Sequence, residues 1–233
     1  MNVLIPAAGR GRRFREAGYK EPKPMIDVFG KPMISRVISN VVPRGENNIV
    51  VACSPEMPQI YDVKRVVIPE VTDGAARTAI IALHTAQVPL DEPLMIANSD
   101  QLLDWDPQDF INCMHGYDGG IVVFHEPAQH PKWSYAHIKH RLVMRVAEKQ
   151  AISEWATAGI YYWARTEDFL RSATEMIALD ERTNGEFYIA PSFNYLIRER
   201  KRIIEYPING VQMHGLGDPE ALQKYLAIGK VKM

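Results

Sequence analysis

The chain has 233 residues, 46% of them hydrophobic, and a formal net charge of −1. This length and composition suit one large α/β domain with a sizeable core, and a charge so close to neutral argues against a nucleic-acid-binding protein. Two widely separated cysteines exclude a disulfide framework. No apolar run approaches the roughly 20 residues that span a bilayer, and no signal peptide is recognisable. We therefore expect a soluble, cytoplasmic protein that binds neither nucleic acid nor membrane.

The first predicted element is a buried strand at the apolar residues 3–5, which leads into a loop containing Gly9 and Gly11. Such loops lie at the carboxyl edge of parallel sheets, where small residues let backbone N–H groups approach a ligand. Positive charge surrounds the loop on Arg10, Arg12, Arg13 and Lys23. The segment therefore predicts a polyphosphate site, with a purely structural turn as the alternative.

Two better-known phosphate-binding motifs do not fit this loop. A P-loop needs a lysine and a hydroxyl residue after its last glycine, whereas Gly11 is followed by two arginines. A dinucleotide-binding motif needs a third glycine where Phe14 stands. The segment Pro22-Lys23-Pro24 favours the phosphate interpretation, because two prolines fix the backbone around the lysine and limit where its ammonium group can point.

Strand and helix patterns then alternate, which predicts a parallel sheet covered by helices in the first half. The predicted strands of this half are 48–53, 65–68, 94–97 and 120–124, and its predicted helices begin at Pro32 and after Asp73-Gly74. In the second half, alternating segments flank a turn at His140 and Arg141 and predict a hairpin. Further predicted elements are the strands 158–163 and 202–206 and the helices 166–179, 186–198 and 219–228.

Asp100 is the first candidate for chemistry, since it follows the apolar strand 94–97. A carboxylate at the carboxyl edge of a central strand can hold Mg²⁺, which prefers oxygen ligands and often keeps several waters. A turn or capping residue is the alternative. Gly74 would let a ligand approach the positive end of a helix dipole.

The N-terminal residues resemble a family of nucleotidylyltransferases that act on sugar phosphates and related phosphorylated alcohols. Their pattern is Ala-Ala-Gly-x-Gly-(Thr/Ser)-(Arg/Lys) and then Pro-Lys-Pro-(Met/Leu), and residues 7–13 and 22–25 match it except at Arg12. We therefore expect an α/β fold of a single domain, with a Rossmann-like mixed sheet flanked by helices and an inserted hairpin on the acceptor side. Residues 1–124 would form the nucleotide-binding half and residues 125–233 the acceptor-binding half.

The resemblance implies roles for individual residues. Arg13 would stabilise the leaving pyrophosphate, Lys23 would lie near the α-phosphate, and Asp100 would hold a Mg²⁺ cofactor. Asp218 would be the second metal ligand, with capping of the last helix as the alternative; the usual acidic position of the family is Gly215 here. The implied nucleotide-binding residues are Ala7, Ala8, Gly9, Gly11, Arg12, Glu70, Gly74 and Ala75.

Segments of the second half resemble those that surround the acceptor in the family. They are Tyr135-Ala136, Glu148-Lys149, Gly159-Ile160-Tyr161 and residues 185–188. By this match Glu148 would bind acceptor hydroxyls or an amine and Lys149 the acceptor phosphate. Ala136 replaces the usual glycine and Gln150 the usual proline. The implied acceptor-binding residues are Tyr135, Ala136, Glu148, Lys149 and Gly159.

The implied reaction joins a nucleoside triphosphate to a sugar 1-phosphate, or a similar phosphorylated alcohol, and releases pyrophosphate, as in nucleotide-sugar and cell-surface polysaccharide biosynthesis. One alternative is a phosphocholine-type cytidylyltransferase, whose aromatic residues would cage a quaternary ammonium. Another is a nucleotide-sugar-dependent glycosyltransferase that uses Asp104-Trp105-Asp106, and a third is a non-catalytic nucleotide-binding regulator. The sequence leaves open which nucleotide base and which acceptor the protein uses. It also leaves open whether the protein is a monomer or a homo-oligomer.

Overall fold

A nine-stranded sheet runs through both halves of the chain in the computed structural model, which describes residues 1–60 and 62–231. The elements of the first half are β1 (Asn2–Ala7), α1 (Arg12–Glu16), β2 (Asp27–Val28), β3 (Lys31–Pro32), α2 (Met33–Val41), β4 (Asn48–Cys53), β5 (Lys64–Val67), α3 (Ala75–Ala86), β6 (Leu94–Ala97), β7 (Gln101–Leu103), α4 (Pro107–Cys113) and β8 (Gly119–His125). The elements of the second half are β9 (Ser134–Lys139), β10 (Leu142–Glu148), β11 (Trp155–Trp163), α5 (Thr166–Ala178), α6 (Phe193–Arg198), β12 (Ile203–Ile208), β13 (Met213–Gly215) and α7 (Pro219–Val231).

The strand order of the large sheet is β5-β4-β1-β6-β11-β8-β12-β10-β9. The first four strands are parallel, and β11 then runs antiparallel to both β6 and β8. The fold is therefore an α/β fold with a mixed sheet flanked by helices, as predicted. Two short ribbons, β2–β3 and β7–β13, lie outside the large sheet.

The apolar run of β1 is buried because helices cover both faces of the sheet. Side chains of successive strand residues point to opposite faces. Leu4 packs in one core cluster with side chains of α3 and α5, whereas Val3 and Ile5 pack in a second cluster with side chains of α2. The carboxyl end of β1 and the loop after it are thereby held at one edge of the sheet.

Most predicted elements are confirmed within one to three residues at their ends. The predicted hairpin is β9–β10, at the edge of the sheet, and its turn residues His140 and Arg141 have φ angles of 49° and 67°. Such paired positive φ angles are typical of the turns that match the twist of a hairpin. In the described part of the chain, every helix is too short or too polar to cross a bilayer.

The predicted helix 186–198 is wrong over its first residues. The helix α6 begins only at Phe193, after a 3₁₀ turn over Ala190–Ser192. The Phe187 backbone bonds elsewhere, because its N–H donates to Asp73 O at 2.8 Å and its carbonyl accepts from Ala76 N at 3.0 Å. Pro191 also lacks the N–H that a helix interior needs. Tertiary pairing with the start of α3 thus overrides the local helical pattern.

Candidate active site

Two adjoining cavities open beyond the carboxyl ends of β1 and β6. The first, of about 730 Å³, is called the loop cavity here because the loop after β1 forms one of its walls. Its lining includes Pro6, Ala7, Ala8, Gly9, Arg10, Gly11, Arg12, Arg13, Phe14, Lys23, Thr72, Gly74, Ala75, Thr78 and Glu186. Small residues and arginines dominate this list, as expected for a site that binds phosphates through backbone N–H groups and positive charge.

The start of α3 forms another wall of the loop cavity. Gly74 has a φ angle of 136°, and a Cβ atom built on it would lie 2.3 Å from the carbonyl oxygen of Phe187. Only glycine fits this close approach. The hydroxyls of Thr72 and Thr78 are 2.6 Å apart beside it. The segment around Phe187 therefore packs directly on the first turn of α3.

The second cavity, of about 430 Å³, is called the polar cavity. Its lining includes Asn98, Asp100, Gln101, Lys132, Trp133, Ser134, Glu148, Lys149, Thr157, Gly159, Tyr161, Tyr188, Gly215 and Asp218. The two cavities share the wall residues Pro6, Arg13, Ala75, Ser99 and Gly217. A ligand in one cavity therefore lies next to a ligand in the other.

An ion pair joins the two cavities. Lys23 lines the loop cavity and Asp100 lines the polar cavity, and Lys23 Nζ lies 2.5 Å from Asp100 Oδ2. Their side chains are 17% and 23% exposed, so solvent screens this pair less than a surface pair. A 3₁₀ turn over Lys23–Met25 presents the lysine, and Asp100 lies between β6 and β7.

Glu148 is a partly buried carboxylate of the polar cavity. Burial raises the pKa of its carboxyl group, while a hydrogen bond from Ser134 and the charge of Lys149 partly oppose that rise. Ser134 Oγ donates to Glu148 Oε2, and Lys149 Nζ donates to the hydroxyl of Tyr188. The hydroxyls of Thr157 and Tyr161 are bonded to each other at 2.9 Å. Carboxylate, ammonium, amide and hydroxyl groups therefore surround this cavity.

Most of the predicted site residues line one of the two cavities, but three do not. Glu70 is exposed and lies outside both linings. Tyr135 and Ala136 are fully buried in the core, and the hydroxyl of Tyr135 donates to His130 O at 2.8 Å. These three residues reach neither cavity in this structure.

Sequence reasoning assigned no site role to several residues of the polar cavity: Asn98, Gln101, Lys132, Ser134, Thr157 and Tyr188. Two of them lie in or beside segments that the family resemblance points to. Ser134 directly precedes the segment Tyr135-Ala136, and Tyr188 belongs to the segment 185–188; both segments resemble those around the acceptor in the family. Asn98 and Gln101 lie close to the predicted Asp100 in sequence, whereas Lys132 and Thr157 come from separate segments that only the fold brings together.

Asp218 caps a helix in this structure. Its Oδ1 accepts a hydrogen bond from Ala221 N at 2.9 Å, in the first turn of α7. Its Oδ2 lies 3.5 Å from Arg13 Nη1. Both carboxylate oxygens thus have a protein partner, which favours the capping alternative.

The residues present fit one kind of magnesium site. Among residues 1–60 and 62–231, no three acidic, histidine or cysteine side chains converge as metal ligands. Mg²⁺ is usually held by one or two carboxylates, waters and substrate phosphates rather than by a cage of protein groups. Asp100 supplies one such carboxylate beside the loop cavity. The site therefore suits a Mg²⁺ ion that arrives with a nucleotide.

Comparison with known proteins decides the family. Residues 3–167, more than half of the chain, match the MobA-like NTP transferase domain. The chain belongs to this family of NTP transferases. The resemblance seen in the N-terminal motif is thereby confirmed.

Two curated proteins are similar to this NTP transferase domain over much of its length. The bifunctional protein GlmU of Methanocaldococcus jannaschii is 23% identical over 216 residues, which cover 92% of this chain and 50% of that protein. The mannose-1-phosphate guanyltransferase of Gibberella zeae is 27% identical over 179 residues, which cover 69% of this chain and 49% of that protein. The chain thus spans about half the length of these curated relatives.

A solved structure matches over nearly its whole length. The nucleoside-diphosphate-sugar pyrophosphorylase from Vibrio cholerae RC9 is 25% identical, with a TM-score of 0.79. The match covers 97% of this NTP transferase domain and 99% of that chain. The mixed sheet of this domain thus belongs to a fold already seen in a nucleoside-diphosphate-sugar pyrophosphorylase.

Proposed function

We propose that the protein is a nucleotidylyltransferase that joins a nucleoside triphosphate to a sugar 1-phosphate and releases pyrophosphate. One observation carries this proposal: a cavity suited to phosphates adjoins a cavity of polar side chains, and Lys23 and Asp100 pair where they meet. A reaction between two phosphorylated molecules needs this arrangement, because both must be held in line with each other. The names of the relatives and the family match support the same reaction class.

The nucleoside triphosphate would occupy the loop cavity. Its phosphates would lie against the backbone of Ala8 to Gly11, and Arg12 and Arg13 would offset their negative charge. Base and ribose would extend toward Thr72, Gly74 and Thr78, which line the same cavity. Because backbone groups and arginines recognise any triphosphate, this cavity provides binding that all nucleotides share.

The acceptor would occupy the polar cavity, with its phosphate toward the shared wall. An oxygen of that phosphate attacks the α-phosphorus, the bond from the α-phosphorus to the β-bridging oxygen breaks, and pyrophosphate leaves with the bond's electron pair. The nucleophile is already an anion at neutral pH, so the reaction needs no general base. The barrier comes from repulsion between anions and from the charge on the leaving group.

Positive charge at the shared wall would lower this barrier. Lys23 would lie beside the α-phosphate, and Arg13, which lines both cavities, would stabilise the departing pyrophosphate. Asp100 would hold a Mg²⁺ ion, which would supply positive charge to offset that of the phosphates. Lys23 and Asp100 hold each other in place before the substrates bind.

Features of the structure argue against two of the alternatives. A glycosyltransferase would need Asp104 and Asp106 at a metal, but Asp106 caps α4 and Asp104 Oδ2 lies 3.0 Å from His214 Nε2. Neither residue lines the loop cavity or the polar cavity. A quaternary ammonium would need free aromatic faces. The ammonium groups of Lys132 and Lys149 lie 4.6 and 4.5 Å from the ring centroids of Trp133 and Tyr188, where they would repel such a cation.

Pyrophosphate release tests the proposal. The purified protein is incubated with Mg²⁺, one of the five common nucleoside triphosphates, and either a sugar 1-phosphate or phosphocholine. We expect release with one nucleotide and one sugar 1-phosphate, together with a nucleoside-diphosphate sugar identified by mass. Nucleotide binding without release for any acceptor would favour the non-catalytic regulator, and release with phosphocholine alone would favour the cytidylyltransferase.

A further inference from the structure

We propose that Gln101 determines acceptor specificity, because its side-chain oxygen accepts a hydrogen bond from a hydroxyl or amide N–H group on the acceptor's ring. This inference rests on the proposed function, since it assigns a residue to the acceptor in the polar cavity. Gln101 is the first residue of β7 and follows Asp100 directly. It is therefore held by the strand next to the proposed site of phosphoryl chemistry.

The amide oxygen of Gln101 is buried without a partner. The residue is only 9% exposed, and its Oε1 makes no hydrogen bond within the described residues. A buried acceptor in this condition costs folding free energy, so such groups are rare unless a ligand or water satisfies them. Gln101 lines the polar cavity, where a bound molecule can supply the missing donor.

A second strand fixes the position of this amide. Gly159 of β11 has a φ angle of 70°, and a Cβ atom built on it would lie 2.2 Å from Gln101 Oε1 and 2.3 Å from Asn98 Nδ2. Two side-chain amides thus fill the space over one glycine, and all three residues line the polar cavity. Any larger residue at position 159 would displace both amides.

The other polar groups of the cavity are largely occupied by one another. The side chains form hydrogen bonds in pairs: Ser134 with Glu148, Thr157 with Tyr161, and Lys149 with Tyr188. The indole Nε1 of Trp133 is the other buried polar side-chain atom of this lining that lacks a partner among the described residues, and it is a donor. Gln101 therefore offers a buried acceptor that the cavity itself does not use, which selects for a ligand donor at one position.

Substitution by methionine tests this role, because it keeps the length of the side chain and removes the amide. The acceptors are glucose 1-phosphate, mannose 1-phosphate and N-acetylglucosamine 1-phosphate, together with deoxy analogues of the one that the wild type uses. We expect Gln101→Met to raise KM for that acceptor about 10-fold, with KM for the nucleotide unchanged. One deoxy analogue should give the same KM with wild type and variant, because it lacks the hydroxyl that Gln101 binds.

Thermal unfolding separates this role from a structural one. Since the amide oxygen has no protein partner, replacing it with an apolar group should leave Tm unchanged or raise it. The matched control is Gln223→Met, which makes the same change on the exposed surface of α7, outside both cavities. The control should keep the wild-type KM for every acceptor.

A wild-type KM for every acceptor in the Gln101→Met variant would overturn the inference, and so would a lowered Tm accompanied by equal losses with all analogues. Gln101→Leu provides a second apolar variant if the methionine variant does not fold. Failure of the proposed function is distinguishable, because it would be seen in the wild type as absence of pyrophosphate release. Failure of this inference would be seen only in the variants.

Discussion

The loop cavity and the polar cavity are built in opposite ways. One wall of the loop cavity is the consecutive run of residues 6–14, most of them small or arginine, so that backbone groups and positive charge face its ligand. The polar cavity is lined by side chains from β7, β9, β10, β11 and the segments before α6 and α7. The first construction suits a group that all nucleotides share, and the second suits recognition of one particular acceptor.

The largest expected effect tests the junction between the cavities, where Lys23 and Asp100 form an ion pair. Lys23→Ala and Asp100→Ala should each lower kcat about 1,000-fold, because each removes a preorganised charge from the reacting phosphates. Steady-state pyrophosphate release measures this effect. Lys20→Ala, on an exposed residue of the same loop, is the control and should behave as wild type. Turnover near that of wild type in either junction variant would refute the assignment of both residues.

Arg13 should have the next largest effect. Arg13→Ala should lower kcat about 100-fold, since it removes a cation from the wall that the leaving pyrophosphate contacts. Arg15 lies on the same short helix α1 but pairs with Glu56 at 2.6 Å, outside both cavities. Arg15→Ala is therefore the matched control. Equal losses in the two variants would mean that general surface charge, and not the position of Arg13, assists the reaction.

The two cavities also differ in how far the sequence predicts them. The loop cavity is predicted because its residues are consecutive, so that small residues, prolines and charges are visible as one pattern. The polar cavity is predicted in part: Glu148 and Lys149 are recognisable as a pair, but Gln101 and Thr157 meet only because β11 inserts between β6 and β8. Non-local strand pairing of this kind leaves no local pattern.

Two wrong or unsupported predictions have the same physical origin. The helix predicted from residue 186 fails because Phe187 bonds across to α3, and no local pattern encodes that contact. Tyr135 and Ala136 alternate on β9 with Ser134, yet only Ser134 lines the polar cavity. A resemblance between motifs locates the strand, whereas the packing around it decides which side chains face the ligand.

Glu148 tests the polar cavity through pH. Glu148→Gln should raise KM for the acceptor about 10-fold, because it removes a charged hydrogen-bond acceptor. Burial raises the pKa of this carboxyl group above its ordinary value of 4.5, so the charged form destabilises the fold. The protonated group therefore contributes its full stabilisation at pH values below 4.5, the pKa of the unfolded chain. This stabilisation is lost as the pH rises through the raised pKa of the folded state.

The variant should therefore have a higher Tm than wild type at about pH 7 and the same Tm at about pH 4. Thermal unfolding followed by circular dichroism at several pH values measures the difference. Glu154→Gln, at an exposed carboxylate that bonds to His125, is the control for a change of surface charge. A Tm difference between Glu148→Gln and wild type that stays constant from acid to neutral pH would contradict the raised pKa.

Asp218 should have the smallest effect. Asp218→Ala should lower the free energy of unfolding by about 1 kcal/mol, as loss of a helix cap does. Asp218→Asn keeps a capping oxygen and should retain both stability and turnover. Chemical denaturation and pyrophosphate release measure the two quantities. A large loss of turnover in the asparagine variant, with stability retained, would instead identify Asp218 as a metal ligand.

The most direct test of the central claim follows the phosphorus atoms of the nucleotide. Parallel reactions contain either α-³²P-labelled or γ-³²P-labelled nucleoside triphosphate with the sugar 1-phosphate that supports turnover. Nucleotidylyl transfer predicts that the α label enters a phosphatase-resistant nucleoside-diphosphate sugar and that the γ label appears in pyrophosphate. Release of the γ label as orthophosphate, or its transfer to the sugar, would show attack at the γ-phosphorus and contradict nucleotidylyl transfer.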